Sequence, residues 1–242
     1  MSDFEVIIYE KQDGVAYVTL NRPHALNAYN MQMRDELYQV LEAVKNDPDV
    51  RVVIFKGAGE KAFCAGADLS EFLTAPSPII VRQVRWERDN WGLMLSIDKP
   101  LIAALHGYVL GDGIEIALCC DIRVASDDAQ FGAPEVGLGI IPAAGGSQTL
   151  PRVVGRALAL DMLLSGRWIK AEEALRLKLV NQVVARGDLL PTVEKLANKI
   201  KDYDPVAVNY AKQAITRGLD LSLERGLELE TNLGYQLLDS AT

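Results

Sequence analysis

Residues 101–150 have the sequence LIAALHGYVLGDGIEIALCCDIRVASDDAQFGAPEVGLGIIPAAGGSQTL, and this stretch decides the fold prediction. Its first apolar run, Leu101–Ala104, is typical of a buried strand. Gly111-Asp112-Gly113 then opens an apolar helix predicted over Ile114–Cys120, and Asp121–Ser126 is a second predicted strand. Similar strand and helix units recur loosely along the chain without a clear sequence repeat. They predict the α/β class.

Two glutamates lie in parts of this stretch that we predict to be buried apolar structure. Glu115 is in the first turn of the predicted helix, where a carboxylate is also favoured simply by the helix dipole. Glu135 follows a predicted turn, Gln130–Glu135, and precedes the apolar run Val136–Ile141. Two partly buried carboxylates in one pocket have their proton affinities pushed apart, so that one accepts a proton and the other donates one. The pair therefore predicts a site that holds and activates water, with an ordinary helix-start role for Glu115 as the alternative.

The glycines around Asp112 predict a second chemical feature. Glycine allows turn angles and close approach of a ligand to the backbone, and the first amides of a helix have no partner inside that helix. A backbone amide near position 112 or 113 is therefore well placed to donate to an anion.

Composition excludes several classes of protein. The chain has 242 residues and a formal net charge of -8, which argues against a nucleic-acid surface and, with no Lys/Arg cluster, leaves no basic patch. No apolar run reaches the length of a membrane span, and the N-terminus lacks the pattern of a secretory signal. Three cysteines without metal-ligand spacing form no disulfide framework. These features predict a globular protein of the reducing cytoplasm.

The flanking segments extend the α/β pattern. A hairpin is predicted from Val6–Tyr9 and Val15–Leu20, a helix over Met31–Val44 and a strand over Val50–Lys56. Prolines at 76 and 78 predict an irregular start to the next segment. Further elements are a helix over Ile80–Ile97, helices over Arg156–Leu164 and Ala171–Leu177, a strand over Val180–Val184, and helices over Leu190–Ile200, Val206–Arg217 and Leu221–Leu237.

Several motifs together resemble the enoyl-CoA hydratase/isomerase (crotonase) family. The first is GYVLGDGIEIALCCDIRVAS followed by AQFGAPEVGLGIIPAAGGSQTLPRVVG. Upstream, LNRP with ALN at 20–27 and FCAGADL at 63–69 match the family's order and spacing. The similarity covers nearly the whole chain and is far more specific than a lone glycine motif.

The resemblance implies a particular fold and domain organisation. Members of the family form a spiral of ββα units followed by a helical region that assembles trimers, usually paired into hexamers. For this chain it implies a spiral core over residues 1–187 with the acyl-CoA site, and a helical C-terminal oligomerisation region over residues 188–242. A homotrimer or a hexamer built as a dimer of trimers is thus expected.

The resemblance also implies roles for individual residues. Glu115 and Glu135 match the family's catalytic pair, and the backbone amides of Ala67 and Asp112 match its oxyanion donors. Asp112 is a departure, because the family usually has glycine there. An aspartate beside an oxyanion is unfavourable unless its side chain points away, caps the helix or is neutralised, which bears on substrate preference and rate more than on reaction class.

Two loops match the family's coenzyme A contacts. His24, Ala25 and Leu26 correspond to contacts with the nucleotide and phosphates, although the loop also fits an ordinary strand-to-helix connection with Asn27 or Asn30 as a helix cap. Ala65, Asp68 and Leu69 correspond to the adenine-binding edge. From the residues alone, a close-packing turn of small residues explains the second loop equally well.

The expected activity is hydration of a 2,3-enoyl-CoA by syn addition of water, and its reverse, with no metal and no cofactor beyond the coenzyme A of the substrate. One glutamate, preferentially Glu115, is expected to act as base on the water while the other, Glu135, supplies the proton to the α-carbon, and the sequence leaves the assignment of the two roles open. Three alternatives stay open: a hydratase of a cyclic or carnitine-linked acyl-CoA, an enoyl-CoA isomerase, and a non-catalytic binding protein of the kind that binds RNA. No nucleic-acid or membrane partner is expected.

Overall fold

The computed structural model describes residues 4–71, 83–84 and 86–240. Their strands are, in chain order, β1 (Ile7–Gln12), β2 (Val15–Leu20), β3 (Val52–Gly57), β4 (Ala62–Cys64), β5 (Leu101–Leu105), β6 (Tyr108–Leu110), β7 (Ile122–Ser126), β8 (Gln130–Gly132), β9 (Ile169–Lys170) and β10 (Gln182–Val184). One sheet has the order β1-β2-β3-β5-β7-β10, and a smaller sheet has the order β4-β6-β8-β9. The predicted α/β class is confirmed.

The helices of the described residues are α1 (Met31–Asn46), α2 (Asn90–Leu95), α3 (Asp112–Cys119), α4 (Gly146–Val154), α5 (Arg156–Ser165), α6 (Ala171–Arg176), α7 (Leu189–Lys201), α8 (Pro205–Gly218) and α9 (Leu223–Ser240). None of them combines the length and the apolar character needed to cross a bilayer.

Local chemistry explains why several predicted elements form. The hairpin between β1 and β2 turns at Asp13 and Gly14, which both have positive φ, the conformation that a tight antiparallel turn requires. Helix α1 begins after Asn30, whose side chain accepts a hydrogen bond from the Met33 amide at 2.9 Å. The predicted hairpin and the helix over Met31–Val44 are confirmed.

The predicted helix over Ile80–Ile97 is only partly correct. Helix α2 begins at Asn90 because the backbone of Asp89 is not helical, at φ -80° and ψ 88°, and its side chain caps the helix by accepting from the Gly92 amide at 3.0 Å. Residues 80–82 and 85, like the prolines at 76 and 78, lie outside the described residues.

The larger sheet is buried on both faces. Because side chains alternate along a strand, Val53 and Phe55 of β3 enter one hydrophobic core while Val52 and Ile54 enter another. Helix α7 covers the second core with Leu189, Val193 and Ala197. The first helix beyond residue 187 therefore packs directly on the sheet, and the boundary between a core and a C-terminal region stays a prediction.

The smaller sheet was missed in the sequence because its strands have only two or three residues. The segment predicted as a turn, Gln130–Glu135, is wrong in its first half, which forms β8. The segment after His106 is likewise strand β6. Strands β4, β6 and β8 are parallel neighbours, so their carboxyl ends meet at one edge of the sheet. The chain segments that leave these three strands are thereby brought together.

Candidate active site

A pocket of about 670 Å³ lies beside the carboxyl ends of β4, β6 and β8. Six of the residues predicted for the site line it: Ala65, Ala67, Leu69, Asp112, Glu115 and Glu135. The segment after β4 contributes the first three, helix α3 after β6 contributes the next two, and the turn after β8 contributes Glu135. The parallel order of the strands therefore brings these six residues together, although they lie up to 70 positions apart in the sequence.

Glu115 is held firmly in the wall of the pocket. Its side chain is only 2% exposed, and Oε1 accepts hydrogen bonds from the backbone amides of Gly146 at 2.7 Å and Ala144 at 3.0 Å. A Cβ on Gly146 would lie 2.7 Å from Oε1, so only glycine allows this contact. The sequence did not identify these two amides as functional groups, although the run PAAGGS that contains them is part of the motif that resembles the family.

Glu135 is buried in a different way. It is the first residue of a 3-10 turn over Glu135–Leu138 and is 8% exposed. Among the described residues its Oε2 has no hydrogen-bond partner. Gly111 lies beside the other carboxylate oxygen at a positive φ of 52°, and a Cβ there would be 3.3 Å from Oε1. The carboxyl group is therefore enclosed, and the bond from its own backbone amide is outweighed by burial.

The surroundings raise the pKa of both glutamates. For Glu115 the value rises to about 8, chiefly because burial disfavours the charged form and further because the carboxylate of Asp112 lies nearby; the Gly146 amide acts in the opposite direction. Burial also raises the pKa of Glu135. A carboxyl group with such a raised pKa can hold or exchange a proton near neutral pH, which general acid and base catalysis requires.

The predicted oxyanion amides both reach the pocket. Ala67 and Tyr29 form a parallel β-bridge. In this bridge Tyr29 N–H donates to Gly66 O and Asp68 N–H donates to Tyr29 O, each at 2.8 Å, so the Ala67 N–H takes no part in it. The Ala67 N–H points the opposite way because amide directions alternate along an extended chain. Asp112 is the first residue of α3, where the helix dipole places partial positive charge.

Apolar and aromatic side chains form the rest of the wall. Trp91 stands edge-on to Tyr29 with ring centroids 5.1 Å apart, and both residues line the pocket. Leu138 and Ile141 line it from the turn, although they are 54% and 66% exposed in the single chain. The expectation that the run Val136–Ile141 is buried is therefore wrong: Glu135 is buried while the apolar residues that follow it face the pocket and solvent.

Of the residues predicted to contact coenzyme A, Ala65 and Leu69 line this pocket, whereas His24, Ala25, Leu26 and Asp68 lie outside it. His24 and Ala25 form a short 3-10 turn, and Leu26 follows it in the left-handed conformation at φ 54°. The Ala65 amide donates to Leu26 O at 3.1 Å, so the two predicted binding loops are adjacent.

Asp68 is engaged within the protein. Its Oδ2 accepts from Arg22 at 2.8 Å and its Oδ1 accepts from the Ser70 amide at 3.0 Å. These bonds lower the pKa of Asp68, with the Ser70 side-chain contact as the largest cause. The Asp68–Arg22 ion pair therefore links the two predicted binding loops.

The remaining titratable groups indicate no separate chemistry. The described cysteines, Cys64, Cys119 and Cys120, are free and buried, and burial raises the pKa of each thiol. Within the described ranges, no group of three or more His, Cys, Asp or Glu side chains is arranged to hold a metal ion.

The chain is similar to known proteins over most of its length. The sequence model of one family, described as enoyl-CoA hydratase/isomerase, matches residues 10–242. A short-chain-enoyl-CoA hydratase of Clostridium acetobutylicum is 46% identical over 93% of this chain and 86% of its own length, and a crotonyl-CoA hydratase of Syntrophomonas wolfei is 40% identical over 95% and 88%.

A solved structure agrees with the sequence relatives. The crystal structure of an enoyl-CoA hydratase from Bacillus anthracis superposes with a TM-score of 0.92 at 36% identity, covering 97% of this chain and 92% of that one. The spiral fold with C-terminal helices expected from the resemblance is confirmed by this match.

Proposed function

Since the chain belongs to the enoyl-CoA hydratase/isomerase family, we propose that it is an enoyl-CoA hydratase that adds water to the 2,3 double bond of a short-chain enoyl-CoA thioester. The observation that carries the proposal is the enclosure of two glutamates, Glu115 and Glu135, in one pocket with different hydrogen-bond surroundings. Relatives named as hydratases at 40–46% identity support the same reaction.

The different surroundings assign a role to each glutamate. The amides of Ala144 and Gly146 stabilise the ionised form of Glu115 and oppose the burial that raises its pKa to about 8. Its carboxyl group therefore gains and loses a proton near neutral pH, and the ionised form serves as the base. Glu135 is buried without donors to Oε2, which favours its protonated form as an acid. In hydration, the oxygen of water bonds to C3, its proton passes to Glu115, and the proton of Glu135 passes to C2. The two carboxyl groups then recover their starting states by exchange with solvent.

The backbone amides of Ala67 and Asp112 complete the mechanism. Addition at C3 pushes charge onto the thioester oxygen, and two amide donors stabilise this enolate-like charge where it develops. Losing one such donor typically costs about 100- to 1000-fold in kcat. The reaction in this form needs no electron acceptor and no group beyond the acyl-CoA itself.

Assembly of copies is part of the proposal. Helix α9 and the turn that connects it to α8 leave apolar side chains exposed in the single chain: Leu219 is 82%, Leu223 80% and Leu238 66% exposed. Such surfaces in one region are typical of protein interfaces. A homotrimer, alone or paired into a hexamer, would cover them, and light scattering after gel filtration measures the mass directly. A cytoplasmic location, as expected from the sequence, belongs to the same proposal.

The first experiment follows the absorbance of the conjugated enoyl thioester after purified protein is added to crotonyl-CoA. Wild type should consume the absorbance rapidly, and Glu115→Gln and Glu135→Gln should each do so at least about 100-fold more slowly. If the wild type leaves crotonyl-CoA unchanged, the short-chain hydratase proposal is wrong. Conversion of a 3-enoyl-CoA without net hydration would instead establish an isomerase.

A further inference from the structure

One wall of the pocket carries two cations that the proposed hydration does not use. Arg34 of α1 and Arg88, two residues before α2, both line the pocket. Helix α2 packs against both α1 and α3, so Arg34 and Glu115 line the pocket from different helices. The proposed reaction needs only the two glutamates and two backbone amides. The two arginines therefore require another explanation.

A single carboxylate pairs with both arginines. Asp35 Oδ1 accepts from Arg34 Nε at 2.8 Å, and Arg88 Nη1 lies 2.5 Å from the same oxygen. Within the part of the chain that the structure describes, the Nη groups of Arg34 and the Nε and Nη2 groups of Arg88 donate to no protein group. The three side chains therefore keep one positive charge and several N–H donors for a ligand.

Tyr29 adds a further donor to this wall. Its phenol lines the pocket and accepts from Asn90 Nδ2 at 2.7 Å, while its O–H donates to none of the described residues. Asn90, which is 1% exposed, also donates to Arg34 O at 2.9 Å, so one buried side chain fixes both Tyr29 and the first turn of α1. Burial raises the pKa of Tyr29, which keeps the phenol protonated near neutral pH. The donors are thus held in place before a ligand binds.

Asp89 lines the same wall, but its carboxylate is turned towards its own helix. Its Oδ1 accepts from the Gly92 amide at 3.0 Å, and its Oδ2 lies 2.2 Å from the position that a Cβ at Gly92 would take. Among the described side chains it forms no ion pair with Arg34 or Arg88. Asp89 is therefore occupied as a helix cap and leaves the arginine donors available.

We propose that Tyr29, Arg34 and Arg88 bind a carboxylate at the far end of the acyl chain, so that the substrate is a 2-enoyl-CoA derived from a dicarboxylic acid. The inference rests on the proposed function. A guanidinium group matches a carboxylate with two parallel N–H···O bonds, which are stronger than bonds between neutral groups. Because Tyr29 forms a β-bridge with Ala67, this wall adjoins the thioester site, within reach of a short acyl chain. Binding at both ends orients the double bond between the two glutamates.

The first test measures binding of saturated acyl-CoA thioesters, which cannot be hydrated. Glutaryl-CoA and adipyl-CoA end in a carboxylate, whereas 5-methylhexanoyl-CoA and 6-methylheptanoyl-CoA carry an uncharged isopropyl group of the same shape in its place. By calorimetric titration, wild type should bind at least one of the diacid thioesters about 10-fold or more tightly than its neutral counterpart. Arg34→Gln and Arg88→Gln should each lower this ratio by about 10- to 100-fold. Arg176→Gln, at an arginine that pairs with Glu173 outside the pocket, is the matched control and should keep the wild-type ratio.

Turnover separates this inference from the proposed function. Wild type should hydrate glutaconyl-CoA with a higher kcat/KM than 5-methylhex-2-enoyl-CoA, and Arg34→Gln should remove that preference. Hydration of crotonyl-CoA without any carboxylate preference in binding or turnover would overturn the inference and leave the proposed function intact. Binding of a diacid thioester that depends on Arg34, without hydration of any enoyl-CoA, would support the carboxylate site and refute the hydratase.

The neutral thioesters also test a second source of negative charge. The phosphates of coenzyme A are present in every ligand of the series, so arginines that bound them would contribute equally to all. An equal loss of affinity for charged and neutral thioesters in Arg34→Gln would therefore contradict the inference, and a loss confined to the diacid thioesters would support it.

Discussion

The two glutamates of the pocket occupy regions of opposite character. Glu115 belongs to α3, whose neighbouring residues Ile114 and Ile116 are 2% and 1% exposed, and its carboxylate is bonded to two amides. Glu135 belongs to a short turn whose following residues, Val136 and Leu138, are 40% and 54% exposed. Glu115 is thus held by hydrogen bonds from two amides of another segment, whereas Glu135 lies at a pocket edge where burial outweighs the bond from its own amide.

The comparison shows how glutamate can serve as a base at one position of a protein and as an acid at another. Donors around a carboxylate favour its ionised form, and burial favours the protonated form. Burial raises the pKa of both glutamates, but at Glu115 the amides of Ala144 and Gly146 act against it. The roles proposed for the two glutamates follow from this difference in their surroundings.

Removing either acid-base group should produce the largest loss of activity. Glu115→Gln and Glu135→Gln should each lower kcat by about 100- to 10,000-fold, since each removes one proton transfer. Steady-state rates with crotonyl-CoA over a range of pH measure the effect. The double variant should be little slower than the worse single variant, because the two groups act in one step. Fully multiplicative losses would contradict a shared step.

Displacing Glu115 without removing it should have the next largest effect. A Cβ at Gly146 would lie 2.7 Å from Oε1, so Gly146→Ala should move the carboxylate. A displacement of about 1 Å at a reacting group can cost on the order of 100-fold in rate. Gly137→Ala, at a glycine of the turn with no atom within 4 Å of the added Cβ and no left-handed φ, is the matched control. Equal loss of rate in both variants would remove the distinction between the two regions.

Glu115→Gln should stabilise the folded protein while it abolishes activity. The pKa of Glu115 is about 8 in the folded state and about 4.3 in an unfolded chain, so folding becomes less favourable as pH rises from about 4.3 to 8. The glutamine has no charge to bury and can still accept from the Gly146 amide. Its free energy of unfolding should exceed that of wild type by about 2–4 kcal/mol at pH 8 and by little at pH 4.5.

Chemical denaturation at the two pH values measures this difference. A stabilisation that does not depend on pH would show that the burial of the ionised carboxylate is not its cause. Asp98→Asn, at a surface carboxylate paired with Arg217, serves as the control and should change the unfolding free energy by less than about 1 kcal/mol at both pH values.

The smallest effects should come from the exposed part of the turn. Leu138→Ala removes a side chain that is 54% exposed and should cost about 0.5 kcal/mol or less. Ile116→Ala on α3, at 1% exposure, should cost about 2–5 kcal/mol. Thermal unfolding of the two variants compares the regions directly, and similar costs would show that the turn is packed in solution as firmly as the helix.

The sequence by itself determined the long elements and the chemistry. Hydrophobic periodicity and caps predicted α1, the first hairpin and the strands of the larger sheet within a few residues, because each is specified by neighbours along the chain. The motifs around Glu115 and Glu135 identified both candidate acids. The same local signals failed for β4, β6 and β8, which are too short to show a period.

The tertiary structure decided how those residues meet. Parallel pairing of three short strands brings Ala67, Asp112 and Glu135 to one edge, a consequence of contacts far apart in sequence that no local pattern specifies. The protonation states of the two glutamates also depend on the tertiary structure. Whether a glutamate is a base or an acid depends on the amides, the buried surface and the neighbouring carboxyl group that the fold places around it.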